Sequence, residues 1–137
     1  MRKEIKSAFG GKRKGFTLIE LVVVMAIIAV LALLVVGAIM VARRASIRTA
    51  NTSNAQTLQT GFEAYYGKNR TYAVTGFVAG ETFTATSGRL GVSLGGGSCS
   101  NGGGTVTSVS ATNYTLVTWD EDCSATDADN VTKTYPF

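Results

Sequence analysis

The pattern of hydrophobic and polar positions divides the chain into three stretches, of which the first two are predicted to be helical. Residues 21–42 contain no charged side chain over 22 positions, which is about the length that spans the hydrocarbon core of a bilayer as a helix. Beyond Arg44, apolar residues recur near a period of 3.6 with polar residues between them, which predicts an amphipathic helix. The members of this apolar stripe are Ile47, Ala50, Ala55, Leu58, Phe62 and Tyr65. The first stretch therefore suits lipid or a bundle of helices, and the second suits packing on a sheet.

These two stretches are predicted to form one long helix over residues 16–67. No proline occurs in this range, and glycine precedes Gly67 only at Gly37 and Gly61. At 1.5 Å per residue, such a helix would extend about 75 to 80 Å, more than twice the thickness of the hydrocarbon core. Residues 16–42 are therefore the half predicted to lie in the membrane, and Gly67 marks the expected end of the helix.

The third stretch, residues 68–137, is predicted to be a small β-rich head. From Tyr72 onward the sequence is rich in threonine, valine, phenylalanine, tyrosine and glycine, which are residues of strands and turns. The glycine clusters at 95–97 and 102–104 are predicted to be mobile loops. The predicted strands are part of 77–86, then 105–110, 114–119 and 131–135. The expected fold class is α+β, with a long N-terminal helix packed on a small antiparallel sheet.

Basic residues set the expected orientation of the membrane segment. Before Phe16 there are six basic residues and one acidic residue, which gives a local charge of +5. Only Arg43, Arg44 and Arg48 follow the apolar run closely. Because positive charge is retained in the cytoplasm, the N-terminus is predicted to be cytoplasmic and the head to lie outside. Beyond residue 15, seven basic residues face eight acidic ones, so the mature charge predicts no general attraction to nucleic acid.

Gly15 separates the basic leader from the apolar run, and Glu20 lies within the first turns of that run. A secretory signal places its cleavage site after the hydrophobic core, which is then discarded. Here the small residue precedes the core, so cleavage after Gly15 would remove residues 1–15 and keep the helix on the mature chain. A charge inside a membrane segment costs about 2.5 to 3.5 kcal/mol on insertion scales, so Glu20 is a candidate functional residue.

The sequence from Lys14 to Glu20, KGFTLIE, resembles the class III signal of type IV prepilins, with the short leader of the type IVa group. The resemblance is close over the leader and the first part of the helix, whereas the remainder resembles pilins only in layout. It implies a type IV pilin-like fold. It also implies that a prepilin peptidase cleaves between Gly15 and Phe16, that the new amino group of Phe16 is N-methylated, and that subunits assemble into a helical filament.

The resemblance assigns Phe16, Thr17 and Glu20 to filament assembly. In a filament, the Glu20 carboxylate would neutralise the positive amino group of Phe16 on a neighbouring subunit, and a wrong stagger would leave both charges unpaired. Removing one partner of a buried ion pair costs about 3 to 5 kcal/mol, so the pair would favour one register. Two alternatives remain open: Glu20 lies near the lipid headgroups, or it pairs with Phe16 of its own chain.

Cys99 and Cys123 are the only cysteines, and the predicted orientation places both outside the cytoplasm, where disulfides form. One bridge is predicted, and closing the loop 99–123 would stabilise the head by about 3 to 4 kcal/mol through loop entropy. Two free buried thiols are the alternative. A structural zinc site is disfavoured because it needs four ligands, and the chain has two cysteines and no histidine.

The remaining charged clusters are interpreted as surface features. Calcium binds clustered carboxylates, but without EF-hand spacing a solvated acidic rim is favoured and no metal site is predicted. Arg43, Arg44 and Arg48 are expected to contact headgroups or acids of adjacent subunits rather than DNA. The sequence offers no nucleophile and base pair and no cofactor motif, so we expect neither an enzyme nor a cofactor. The carboxylates around Cys123 are Asp120, Glu121, Asp122, Asp127 and Asp129.

Together these features favour a structural subunit, the major pilin, of a type IV pilus that serves adhesion, motility or DNA uptake. The expected partners are further copies of the chain in a helical filament, the membrane before assembly, the prepilin peptidase and assembly machinery, minor pilins, and a host surface or DNA. The precursor would be a single-pass membrane protein, and the assembled form an extracellular filament on a bacterial surface. The alternatives are a pseudopilin of a type II secretion system, a minor or competence pilin, and a bitopic membrane enzyme or receptor.

Overall fold

The computed structural model describes residues 15–136 and has the α+β fold expected from the sequence. Its contacts divide the chain into two units, one ending at Ala38 and the other beginning at Ile39. A 3-10 turn at Ser100–Gly102 precedes the second strand. The helices and strands are α1 (Leu18–Asn69), β1 (Glu81–Thr82), α2 (Phe83–Leu90), β2 (Gly104–Val109), β3 (Tyr114–Thr118) and β4 (Val131–Tyr135).

The first unit contains the N-terminal part of α1, and its apolar side chains are exposed. From Phe16 to Val41, each large hydrophobic residue keeps about half or more of its surface accessible, with values between 49% at Val23 and 84% at Phe16. Among the described residues, α1 is the one helix that is long and apolar enough to cross a membrane. The helix was predicted over 16–67, and it begins and ends two residues later than that.

The sheet of the second unit has four antiparallel strands in the order β1-β2-β3-β4. Val106 pairs with Leu116, and Leu116 pairs with Lys133 on the other side, so β3 is central and β4 is an edge strand. The three predictions of strands at 105–110, 114–119 and 131–135 are confirmed to within one residue at each end. These segments are rich in threonine, valine and tyrosine, which favour a pleated and half-buried surface.

The strand predicted in part of 77–86 is present but consists of two residues, because the chain then turns into helix α2, which was not predicted. Thr82 caps the helix, with its hydroxyl oxygen accepting a hydrogen bond from the backbone N–H of Ala85. Gly91 ends the helix with a φ of 69°, a conformation that glycine adopts without steric cost. Capping at both ends and burial of Phe83 therefore outweigh the strand preference of the phenylalanine and threonines.

The core of the second unit lies between the later turns of α1 and the sheet. Leu58 and Phe62 of the helix are fully buried, as are Val106 and Tyr114 of the sheet. The rings of Phe62 and Tyr114 stack with their centroids 4.2 Å apart, a favourable aromatic geometry. The amphipathic half of the helix thus packs on the sheet, as its periodicity predicted.

The glycine cluster at 102–104 is buried and closely packed, so its prediction as a mobile loop is wrong. Gly103 has a φ of +86°, and a Cβ placed on Gly104 would lie 2.4 Å from both Phe83 Cζ and Val117 O. Only glycine leaves room for the backbone to pass this close to its neighbours. The other cluster, residues 95–97, is exposed and lies outside the helices and strands.

Candidate functional site

The predicted cleavage junction lies immediately before α1. Gly15, Phe16 and Thr17 precede the helix and are exposed. A Cβ placed on Gly15 would find no heavy atom within 4 Å, so among the described residues nothing blocks access to the bond between Gly15 and Phe16. The rest of the predicted leader, residues 1–14, lies outside the described residues, and cleavage and methylation stay predictions.

Thr17 and Glu20 form a reciprocal hydrogen-bonded cap at the start of α1. The backbone N–H of Thr17 donates to Glu20 Oε2 at 2.9 Å, and the Thr17 hydroxyl donates to the same oxygen at 2.7 Å. The Thr17 hydroxyl in turn accepts the backbone N–H of Glu20 at 3.3 Å. This is the capping box that a threonine followed three residues later by a glutamate produces. It explains why α1 begins at Leu18 rather than at Phe16.

Sequence reasoning missed this second role of Glu20, although the Thr-x-x-Glu spacing that signals it is present at 17–20. The cap fixes the carboxylate at the entrance of the charge-free segment. Pairing of Glu20 with Phe16 of another subunit stays a prediction. The structure thus brings Thr17 and Glu20 into direct contact.

A disulfide joins Cys99 and Cys123, as the sequence predicted, with their Cα atoms 5.4 Å apart. Both ends of the bridge belong to the second unit, and the loop it closes contains β2 and β3. The bridge therefore ties the central strands to the segment that leads into β4.

Two buried asparagines of α1 hold the backbone of this disulfide loop and of the segment just before it. Asn51 accepts the N–H of Cys99 at 3.1 Å and donates to the carbonyl oxygens of Trp119 at 2.8 Å and Asp120 at 3.2 Å. Asn54 accepts the N–H of Gly95 at 2.8 Å and donates to the carbonyl oxygen of Gly102 at 3.0 Å. Both side chains are almost completely buried. We call Asn51 and Asn54 the asparagine latch.

The asparagine latch was not predicted, because the apolar stripe alone was taken as the packing face of α1. Asn51 and Asn54 are more completely buried than Ile47 and Ala50, which are half-buried. One turn apart, the two asparagines lie on one side of the helix. Asparagine offers both donors and an acceptor, so it can satisfy a loop backbone that no strand pairs. The sequence signal that could have revealed them is their spacing, because residues 51, 54 and 58 lie on the same side of a helix. Leu58 belongs to the predicted apolar stripe, so the two asparagines face the core with it.

Arg48 forms its ion pairs within its own chain, where headgroups or adjacent subunits were expected. Its guanidinium contacts Glu121 and lies 3.3 Å from the carboxylate of Asp120. For Arg43 and Arg44 the described part of the chain shows no ion pair, so the prediction for these two stays open. Arg48 thus joins α1 to the C-terminal half of the disulfide loop.

Three carboxylates of the acidic rim approach one another closely. Oxygens of Asp120, Asp122 and Asp127 lie within 4.8 Å of each other. Asp120 is already engaged by Arg48 and by the backbone N–H of Asp122, which donates to its Oδ1 at 2.7 Å. These partners partly neutralise the central carboxylate, and the acidic rim without a metal stays a prediction.

The stability of the second unit should fall in acid through Asp120. The hydrogen bond from the Asp122 N–H, and then the Arg48 guanidinium, lower the pKa of Asp120 below its ordinary value. Stabilisation from a lowered carboxyl pKa is present above the pKa of the unfolded chain, about 3.9, and is lost as the pH falls through the folded pKa. We therefore expect the urea concentration at the unfolding midpoint of the mature chain to decrease as the pH is lowered below about 4. In Asp120→Asn this decrease should be less steep.

The matched control for this acid response is Asp129→Asn. Among the described residues, the Asp129 carboxylate forms no hydrogen bond or ion pair. Unfolding of both variants can be followed between pH 2 and pH 6 by the emission of the single tryptophan. If the unfolding midpoint fell equally steeply with pH in wild type and in Asp120→Asn, Asp120 would not be the cause of the loss of stability in acid.

Loss of the disulfide should lower the stability of the head strongly. We expect Cys99→Ser with Cys123→Ser to reduce the free energy of unfolding by about 2 to 5 kcal/mol, because the unfolded chain then regains the entropy of the open loop. The measurement is urea unfolding of the mature chain in detergent, with reductant added to the wild type as a second route to the same state. A midpoint that neither change moves would show that the bridge contributes nothing.

Comparison with known proteins gives one result for the N-terminal segment. Residues 10–36 match the prokaryotic N-terminal methylation motif. No curated protein and no solved structure matches the chain. The matched segment includes the cleavage junction, the capping box of Thr17 and Glu20, and most of the charge-free run. This motif and the α+β fold support a type IV pilin-like prepilin with a class III signal, a description that covers pilins and pseudopilins alike.

Proposed function

We propose that the chain is a structural subunit of a type IV pilus and polymerises through residues 16–42. The observation that carries this proposal is the exposure of the apolar side chains from Phe16 to Val41, which keep about half or more of their surface. Soluble monomers rarely leave so large an apolar surface uncovered. Lipid can cover it before assembly and the helices of sister subunits can cover it afterwards.

The basic leader, the apolar half of α1 and the disulfide-closed head support one order of events. The basic leader keeps the N-terminus cytoplasmic, the apolar half of α1 anchors the precursor, and the disulfide-closed head folds outside. The prepilin peptidase then cleaves after Gly15, Phe16 is methylated, and the assembly machinery extracts the helix into the filament. The role is structural rather than enzymatic and needs no cofactor. Minor pilins, host surfaces and DNA are further partners of such a filament.

A pseudopilin of a type II secretion system shares the motif, the cleavage and the helix. The disulfide between Cys99 and Cys123 and the threonine-rich head favour the pilus subunit. A minor pilin would share these features as well, and abundance in the filament separates it from the major one.

The proposal is tested on filaments sheared from the cell surface. We expect electron microscopy to show them, and mass spectrometry of their main protein to give a chain that begins at N-methylated Phe16. A deletion strain is the control. Secretion defects without surface filaments would favour the pseudopilin, and trace amounts of the chain in filaments made of another protein would favour the minor pilin.

A further inference from the structure

Two oppositely charged surfaces of the second unit carry charge that their own chain does not neutralise. The first consists of Arg43 and Arg44, which are exposed on α1 and form no ion pair among the described residues. We call these two residues the basic step. The second is the acidic rim, whose five carboxylates lie within residues 120–129, a stretch without any basic residue. Both surfaces belong to the unit that begins at Ile39.

The acidic rim keeps most of its negative charge after its contacts within the chain are made. In the described part of the chain, Arg48 is the one cation that forms ion pairs with it, through Asp120 and Glu121. Oxygens of Asp120, Asp122 and Asp127 lie within 4.8 Å of one another, and like charges at this spacing repel. Water hydrates these exposed groups but supplies no counter-charge. A further cation beside the rim would therefore be stabilising.

The ion pairs of Arg48 show how an arginine of α1 reaches the acidic rim. Arg44 lies four residues before Arg48, which is about 6 Å along the helix and on the same side of it. A second copy of the chain, displaced along the axis of α1 by about one turn, would bring its basic step to the level of the rim of the first. Repeated displacement of identical subunits along an axis is how an open helical filament grows.

Two different surfaces of opposite charge suit this kind of assembly. Contacts in an open filament are heterologous, so each chain must carry two surfaces that complement one another. Complementary charge across an interface fixes the register and disfavours wrong alignments. We propose that the basic step of one subunit docks on the acidic rim of a neighbouring subunit. The inference rests on the proposed role as a filament subunit, to which it adds a contact outside residues 16–42.

Anionic lipid headgroups are the other partner that two neighbouring arginines attract. They would engage the basic step while the subunit is still in the membrane. They would repel the acidic rim, and they are left behind when the helix enters the filament. A second copy of the chain accounts for both charged surfaces at once, so the observations favour it over lipid.

A charge swap in the full chain tests the proposal. Arg43→Glu with Arg44→Glu places like charges opposite each other, so the amount of subunit in sheared filaments should fall by at least about fivefold relative to the cell-associated pool. Adding Asp122→Arg with Asp129→Arg reverses the rim as well and should restore at least about half of the wild-type amount. All four side chains are exposed, so the urea midpoint of the mature chain in detergent should show that each variant still folds.

The matched control is Lys68→Glu with Arg70→Glu, which reverses two exposed cations at the other end of α1 and should keep assembly within about twofold of wild type. Normal assembly of Arg43→Glu with Arg44→Glu would overturn the inference. A defect that the changes in the rim do not relieve would also overturn it and would favour lipid headgroups. If the wild-type chain forms no filaments, the proposed function itself fails, so the two failures are distinguishable.

Discussion

Glu20→Gln should nearly abolish filament assembly while leaving the helix start intact. Glutamine serves in a capping box as glutamate does, so the cap on Thr17 is retained and only the negative charge is lost. The amino group of Phe16 on a neighbouring subunit would then be buried without a counter-charge. Losing one partner of a buried ion pair costs about 3 to 5 kcal/mol, which corresponds to association of each subunit weakened by roughly 150-fold to 5,000-fold. The measurement is the amount of subunit in sheared filaments relative to the cell-associated pool.

Thr17→Val is the matched control for this prediction. It removes the capping hydroxyl that bonds to Glu20 and keeps the carboxylate. Loss of a cap costs about 0.5 to 2 kcal/mol, so assembly should suffer less than in Glu20→Gln. In both variants the mass of the processed chain should show that cleavage after Gly15 still occurs. Normal assembly of Glu20→Gln, with a defect in Thr17→Val, would show that Glu20 acts as a cap and not as a charge.

The N-terminal part of the molecule could be predicted well because its signals are local. The charge-free run, the basic leader and the glycine before Phe16 are contiguous in sequence, and the structure shows α1 within two residues of the predicted limits. Strands β2 to β4 were also found, because their composition favours pleated structure over short, bounded segments.

Features that depend on partners distant in sequence could not be predicted in the same way. Residues 83–90 contain strand formers, yet the cap at Thr82 and the burial of Phe83 make them helical. The cluster 102–104 has the composition of a loop, and its burial arises from contacts with Phe83 and Asn51. Local composition carries no information on which backbone will lie against an asparagine of the helix about 50 residues earlier in the sequence.

Asn51→Ala should lower the stability of the second unit more than the loss of an ordinary surface residue could. The change leaves the N–H of Cys99 and the carbonyl of Trp119 without their partner in a buried site. Each buried group left unpaired costs about 1 to 3 kcal/mol, so we expect the free energy of unfolding to fall by about 3 to 5 kcal/mol. Urea unfolding followed by Trp119 emission measures this directly.

Asn51→Asp separates the two halves of the interaction. Aspartate keeps an oxygen to accept the Cys99 N–H, but it lacks the amide N–H groups that bind the carbonyls of Trp119 and Asp120, and it brings a negative charge to them. It should therefore be at least as destabilising as alanine near neutral pH, because a buried charge facing carbonyl oxygens has no compensation. Ser53→Ala, an exposed change on the same turn, should stay within about 0.5 kcal/mol of wild type.

The asparagine latch and the disulfide act on the same loop, so their effects should not add. Asn51 bonds to Cys99, and residues in direct contact show coupling energies of about 0.5 to 3 kcal/mol in double-mutant cycles. If the disulfide already restrains the loop, Asn51→Ala should lower the free energy of unfolding less in the oxidised chain than in the chain that carries Cys99→Ser and Cys123→Ser. Strictly additive losses would show that latch and bridge stabilise the fold independently. A loss below about 1 kcal/mol for Asn51→Ala alone would remove the asparagine latch as a determinant of the head.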